Sequence, residues 1–284
     1  MQETTTFQIG DARVVALNAG NMRLHLVEEM AVPEEVWRPA HAELFEQVGT
    51  CPSLSVYIER GDTRALVDIG DYRATVTPGS EYALADYTPP APIIEQLASL
   101  GVKPEDITQV IITHAHWDHY AGVTAAGAAG AAPTFPLARY YLGAADWADA
   151  EMQAALQDHD SLEARTLGAL MAQGRLHLVE GREEIADGIE ILPAPGETPG
   201  HQVVRVQSGG QTLYIVGDLF HHNIELEHPD WMVTWADPAT MLATREWLMR
   251  DARDENAILI AAHLFGAGRV EASANGGGMR WSAV

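Results

Sequence analysis

The stretch His114-Ala115-His116-Trp117-Asp118-His119 crowds three imidazoles and a carboxylate into six residues, directly after the apolar run Val110-Ile111-Ile112-Thr113. Neutral imidazole and carboxylate are the groups that Zn²⁺ and similar divalent ions take as ligands. A buried strand that empties into so many ligand-capable side chains constrains the fold. The chain must supply a rigid strand scaffold and present this loop at its edge, where sites for chemistry are usually built.

A chain of 284 residues, 47% of them hydrophobic, is long enough to bury a full core. No Ser/Pro/Gly-rich linker or charge block divides it, so a single domain over 1–284 is the expectation. The formal charge is −23, and of seventeen basic residues one is a lysine, Lys103. Such a field repels nucleic acid and anionic membranes and otherwise serves solubility; a small-molecule substrate is the expected partner. Residues 1–10 carry no basic segment followed by an apolar one, as a secretory signal would, and no apolar run reaches 18 residues. The one cysteine, Cys51, cannot form an internal disulfide. A cytoplasmic protein, with Cys51 as a small buried residue, is expected.

Strand-like alternation marks Ala12 to Leu17, Ser53 to Ile58 and Arg64 to Ile69, with Gly61-Asp62 as a hairpin turn between the last two. Between the first two, Trp37, His41 and Phe45 recur at helical spacing, with Pro33 and Pro39 limiting the helix. Pro92 to Leu100 reads as a helix closed by Gly101, and Ile107 to Thr113 as the buried strand that carries the histidines. The Ala/Gly-rich stretch from Ala121 to Ala132 reads as a helix start followed by a loop. Ala138 to Leu142 and Leu176 to Val179 read as strands, and Ser161 to Gln173 as a helix capped by Ser161. In the second half, Val203 to Val206 and Thr212 to Val216 form a hairpin that ends in Gly217-Asp218. It resembles the earlier hairpin that leads through Asp68 to Gly70-Asp71, a repetition that suggests two facing sheets. Asp237 to Asp254 is a long amphipathic helix with Asp237 as its cap, and Ala257 to Ala262 is a last strand that stops at His263.

His201, Asp218 and His263 each sit at a strand edge, as the hexapeptide does. Taken with those residues, the sequence resembles a metallo-β-lactamase-fold hydrolase. His114, His116, Asp118 and His119 match the family's His-x-His-x-Asp-His signature, and His201, Asp218 and His263 match its downstream ligands. The segments Phe135 to Tyr141, Pro199-Gly200-His201 and Gly217 to His222 are most similar to the branch of N-acyl-homoserine lactonases and methyl-parathion-hydrolase-type enzymes.

The resemblance implies an α/β fold, a four-layer αβ/βα sandwich with two metals at one edge. His114, His116 and His201 would bind the first, Asp118, His119 and His263 the second, and Asp218 would bridge them. Zinc leads, and manganese, cobalt or iron also suit nitrogen and oxygen ligands. Attack of a metal-bridging hydroxide on a lactone or ester, oriented by Asp118, is the implied mechanism. Phosphotriester or thioester hydrolysis is the alternative, followed by a non-catalytic metal-binding member. A nuclease of this fold fits the acidity poorly.

Two positions depart from the relatives. Glu197 stands where many carry a histidine, a residue the resemblance places outside direct contact with metal. His221 stands where one group of lactonases has a tyrosine that assists the substrate carbonyl, and is the candidate for that role here. Asp68 is a candidate to orient an imidazole, and Phe45, Trp147, Phe220, Trp231 and Trp235 include candidates for a pocket wall. A homodimer surface would draw on the 28–47 segment and the Trp231 to Trp235 stretch.

Overall fold

The computed structural model describes residues 4–125, 131–272 and 279–284. Strands β1 (Thr5–Ile9), β2 (Ala12–Leu24), β3 (Gly49–Arg60), β4 (Thr63–Val67) and β5 (Gln109–Ile111) lead to a short ribbon, β6 (Thr124–Ala125) with β7 (Ala132–Pro133). Strands β8 (Arg139–Gly143) and β9 (Leu176–Val179) then complete a first sheet in the order β1-β2-β3-β4-β5-β8-β9. The second sheet comprises β10 (Glu183–Ala186), β11 (Ile189–Pro193), β12 (Gln202–Ser208), β13 (Gln211–Ile215), β14 (Ile258–Ile260), β15 (Gly268–Ala272) and β16 (Met279–Ala283), side by side in chain order.

The two-residue period of the strands sorts their side chains between two cores. Val14, Val56, Val67, Ile111 and Tyr141 from the first sheet meet Ile191, Val204, Val206, Ile215 and Ile260 from the second in one buried layer. The alternate residues Val15, Tyr57, Leu66, Val110 and Tyr140 face outward and are covered by Ile93, Leu97, Leu167 and Leu170. On the far side, Tyr214, Val216 and Leu259 are covered by Met241, Leu248 and Met249 of the helix Pro238–Asp254. Helix, sheet, sheet, helix is the αβ/βα sandwich expected from the sequence.

The local signals held where they were strongest. Asp237 caps the Pro238–Asp254 helix by accepting a hydrogen bond from the Thr240 amide at 2.8 Å. The Ser161 hydroxyl likewise accepts from the Ala164 amide at 3.0 Å, though that helix opens into a π-helical turn at Ala164–Gly168. The helix Glu34–Glu46 contains Pro39, which lacks an amide hydrogen, and is kinked at His41. The apolar run 107–113 forms ladder pairs only over Gln109–Ile111. Beyond it, Ile112-Thr113 leads into the hexapeptide. Within 121–132 the described residues form a turn and the ribbon, and 126–130 lie outside the described residues.

The 28–47 and 231–235 stretches pack on each other. Trp37 stacks on Phe45 at 4.8 Å, and Phe45 meets Trp231 edge-on at 5.7 Å. No helix among the described residues is long and apolar enough to cross a membrane.

The sheets are tied at one edge. The Gln202 amide donates to the Thr113 carbonyl at 2.9 Å, and the Leu54 amide donates to the Ala262 carbonyl at 3.0 Å. Close by, Gly143 runs against Gly200. A Cβ on Gly143 would lie 2.0 Å from the Gly200 carbonyl oxygen, inside any real contact. Gly143→Ala must therefore push the 195–201 loop away. The expected cost is about 1–3 kcal/mol, read as a lower urea midpoint with an unchanged slope.

Candidate metal centre

Parallel strands place most of the chemistry. Asp68 follows β4, the hexapeptide follows β5, Asp218 follows β13 and His263 follows β14, so all four loops leave from carboxyl ends of strands that lie parallel in pairs. Ligand sites of open α/β sheets sit at that edge. The loop 194–201 between β11 and β12 closes the ring.

The side chains converge in three overlapping groups, and two of them contain the hexapeptide's ligands. In the first, His114 Nε2 lies 2.9 Å from His116 Nδ1 and 3.5 Å from Asp218 Oδ2, and His116 Nδ1 lies 3.5 Å from Glu197 Oε1. In the second, His119 Nε2 and His263 Nε2 each lie 3.4 Å from Asp118 Oδ2, and 3.2 and 3.0 Å from Asp218 Oδ2. Asp218 Oδ2 thus serves both groups. The ligand atoms lie within 4.8 Å of one another in each of the sets His114, His116, Glu197 and Asp218; Asp118, His119 and His263; and Asp218, His221 and His263, the spread one cation can gather.

The rings are aimed from behind. His119 Nδ1 meets Asp68 Oδ2 at 2.9 Å, His263 Nδ1 meets the Pro52 carbonyl at 2.8 Å, and His114 Nδ1 meets Thr113 Oγ1 at 3.1 Å. Such partners fix the tautomer and turn the other ring nitrogen to the ligand. Asp68 plays the orienting part expected of it. Its backbone is left-handed (φ 58°), and its carboxylate also accepts from the Thr113 amide at 2.7 Å.

Two carboxylate oxygens confirm that these groups suit a cation. Asp218 Oδ1 and Glu197 Oε2 are buried with no hydrogen-bond partner. An ionised buried carboxylate needs compensation, and among the described residues no lysine or arginine pairs with either side chain. Burial works against ionisation of Asp118 and Asp218, yet the His119 and His263 imidazoles beside them outweigh it and lower both pKa values. Burial opposes charge on His119 too, but Asp118, Asp218 and Asp68 together carry its pKa well above the usual range. Burial and the neighbouring rings push His114 well down. The pocket attracts positive charge, and a bound metal ion would release the protons these imidazoles attract.

The structure corrects one expected ligand. His201 is buried, but its ring is fully occupied elsewhere. Nδ1 donates to the Ala194 carbonyl at 2.9 Å, and Nε2 accepts from the Asp218 amide at 3.1 Å. Burial pushes its pKa down to about 4, in keeping with a neutral ring whose lone pair takes that amide. Gly217 (φ 53°) packs so closely that a Cβ there would lie 2.7 Å from His201 Nε2. His201 therefore braces the turn that carries Asp218, and Glu197 takes its place beside His114 and His116. The signal for Glu197 was present in the sequence, as an acid in the tight turn Pro195-Gly196-Glu197-Thr198-Pro199-Gly200.

His221 is buried beside the centre. Its Nε2 lies 3.5 Å from Asp218 Oδ2 and 3.6 Å from Glu197 Oε1, and its ring stacks on His263 at 5.5 Å. Burial opposes its charge, but Glu197, Asp218 and Glu225 prevail and raise its pKa well above the usual value. His222 beside it is a loop histidine whose Nδ1 accepts from the Ile224 amide. Asp146, which sequence reasoning passed over, accepts from Ala115 N, Thr198 Oγ1 and Gly200 N at 2.6–2.9 Å and staples the two ligand loops together.

A cavity of about 210 Å³ opens over both groups, with Met22, Leu24, Cys51, Tyr82, Trp117 and Trp235 in its wall. Of the aromatic candidates, Trp235 reaches it; Phe45, Phe220 and Trp231 are buried in the cores, and Trp147 packs against one.

A family model described as the Metallo-beta-lactamase superfamily matches residues 48–263. The chain belongs to that superfamily. This superfamily member is 28% identical over 174 residues to an N-acyl homoserine lactonase of Bacillus thuringiensis, a match covering 60% of this chain and 61% of the relative. It is 31% identical over 140 residues to an N-acyl homoserine lactonase of a Bacillus species, covering 48% and 49%. The chain thus spans about three-fifths or less of these curated relatives' lengths. Among solved structures, the hydrolase AbOPH of the beta lactamase superfamily superposes with a TM-score of 0.80 at 19% identity, covering 100% of this chain and 98% of that one. AidC, a dizinc quorum-quenching lactonase in complex with a product, does so with 0.76 at 20% identity, covering 100% and 98%. These two likenesses speak to the fold.

Proposed function

We propose that this chain is a metal-dependent hydrolase that opens a lactone or cleaves an ester at a dinuclear centre. The observation that carries this reading is the shared Asp218 carboxylate between two convergent ligand groups. His114, His116 and Glu197 on one side, Asp118, His119 and His263 on the other, and Asp218 between them would hold two divalent ions, zinc foremost, which would lower the pKa of a bound water toward about 7 and polarise a carbonyl oxygen.

The chain's own groups do the rest. Asp118, placed by the one-turn helix Trp117–Tyr120, orients the attacking water and accepts its proton. His221 Nε2 donates a hydrogen bond to the substrate oxygen. Met22, Leu24 and Trp235 hold the apolar part of the substrate and exclude water from it. Named lactonases among the relatives support a lactone ahead of an aryl ester.

Metal-replete protein assayed against a homoserine lactone, an aryl ester, a phosphotriester, a thioester and a β-lactam tests the proposal. A lactone or ester turned over at least tenfold faster than the others is the expected result, and preference for the phosphotriester or thioester would overturn it. Chelation should abolish turnover and lower the melting temperature together. Ions present at 1,000-fold their Kd contribute about 4 kcal/mol per site. Activity that survives complete removal of metal would end the proposal.

A further inference from the structure

We infer that Glu197 is a direct ligand of the first metal site, and that this turns the centre into two matched halves. With His201 as ligand, the first site would gather three imidazoles and the shared Asp218, against two imidazoles, Asp118 and Asp218 in the second. The observed cluster of His114, His116, Glu197 and Asp218 removes that asymmetry. Each half then has two imidazoles and one carboxylate of its own, and Asp218 Oδ2 approaches imidazoles of both, at 3.5 Å in the first and at 3.2 and 3.0 Å in the second.

Four observations support the assignment independently of one another. Glu197 Oε1 lies 3.5 Å from His116 Nδ1, on the side where His114 Nε2 approaches. The Glu197 side chain is fully buried, and its Oε2 has no hydrogen-bond partner. The indole of Trp235 donates to Oε1 at 2.5 Å, which fixes the carboxylate's rotation as the Asp68 and Pro52 contacts fix the rings of the other half. His201 cannot compete, because a lone pair that accepts the Asp218 amide is not available to a cation.

His221 answers the substitution. A carboxylate in place of an imidazole adds a negative charge to the cluster, and His221 brings an imidazole Nε2 to 3.6 Å from that carboxylate. The two positions at which the chain departs from its relatives thus face each other across the site. Matched donor sets imply that the two ions bind with similar affinity. The added carboxylate also makes the first half a harder site, more accepting of manganese or iron than a three-imidazole site would be.

The inference rests on the dinuclear reading above but is tested without turnover. Metal-free protein is titrated with Co²⁺ and read by visible absorption, with metal content measured after dialysis. The wild-type chain should take up two ions per chain in one merged phase. Glu197→Gln should retain one ion, its first site weakened more than about 100-fold, beyond the effect of losing an outer contact. Glu197→His should retain two ions, with the absorption bands moved as nitrogen replaces oxygen. His201→Asn, checked for fold by circular dichroism, should retain two ions with unmoved bands. Wild-type affinity and bands in Glu197→Gln would overturn the inference and leave the hydrolase reading standing. A wild-type chain that takes up no ion would overturn both.

Discussion

Asp118→Ala should lower kcat/KM by at least about 10³-fold while the thermal melt stays cooperative. A positioned acid–base group contributes about 10²–10⁴-fold, and Asp118 is placed to orient water as well as to hold a cation. Its oxygen lies 3.4 Å from both His119 Nε2 and His263 Nε2, so the variant leaves two imidazoles of the second site converging on one carboxylate instead of two. His116→Ala should fall as far by the same logic in the first site. Steady-state kinetics on metal-replete protein, with metal content measured in parallel, separates lost chemistry from lost metal. Full activity in Asp118→Ala would remove Asp118 from the mechanism.

The largest effect on stability is expected at Arg245, far from any ligand in sequence. Its side chain is completely buried and reaches the carbonyls of Leu219, Pro229 and Trp231, the carboxylate of Glu225 and the face of Phe220. Glu225 in turn accepts from the amides of His221 and His222. One guanidinium therefore fixes the whole loop from Leu219 to Trp231, with His221 on it. Arg245→Ala strands a buried carboxylate and should cost about 3–5 kcal/mol, a melting point lower by roughly 6–20 °C. Arg245→Met combined with Glu225→Gln should recover part of that loss, since no unpaired charge remains.

The same pair sets an acid limit. Burial opposes ionisation of Glu225, but Arg245 and His221 pull its pKa from 4.5 to about 2. A depressed carboxylate contributes its full stability above its unfolded pKa, so the contribution is lost as pH falls from about 4.5 toward 2. Acid unfolding of the wild type and of the double variant, compared by circular dichroism, measures it. Equal acid midpoints would show that the pair contributes nothing.

The sandwich was legible because its strands alternate and its helices are capped by residues that can do little else, such as Asp237 before Pro238. The hexapeptide was legible because its ligands are adjacent in sequence. The partition between Glu197 and His201 was not. Four residues apart in one turn, either could reach the metals by residue type alone, and the choice depends on a backbone amide at Asp218 that takes up the imidazole lone pair. Arg245 was hidden for a related reason. An arginine on an amphipathic helix normally faces solvent, and the burial of this one depends on three carbonyls from a loop whose shape no periodicity encodes.

Both halves of the centre draw ligands from both sheets: His114, His116, Asp118 and His119 from loops of the first, Glu197, Asp218 and His263 from loops of the second. Whatever cation sits there is a cross-link. In a chain whose single cysteine rules out an internal disulfide, the first half would close a loop of 83 residues between His114 and Glu197 and the second one of 144 between His119 and His263, the long closures that most restrict an unfolded chain. Such a cross-link would keep one sheet from sliding over the other, so amide exchange at Thr113, Gln202 and Leu54 should slow when metal is added to metal-free protein.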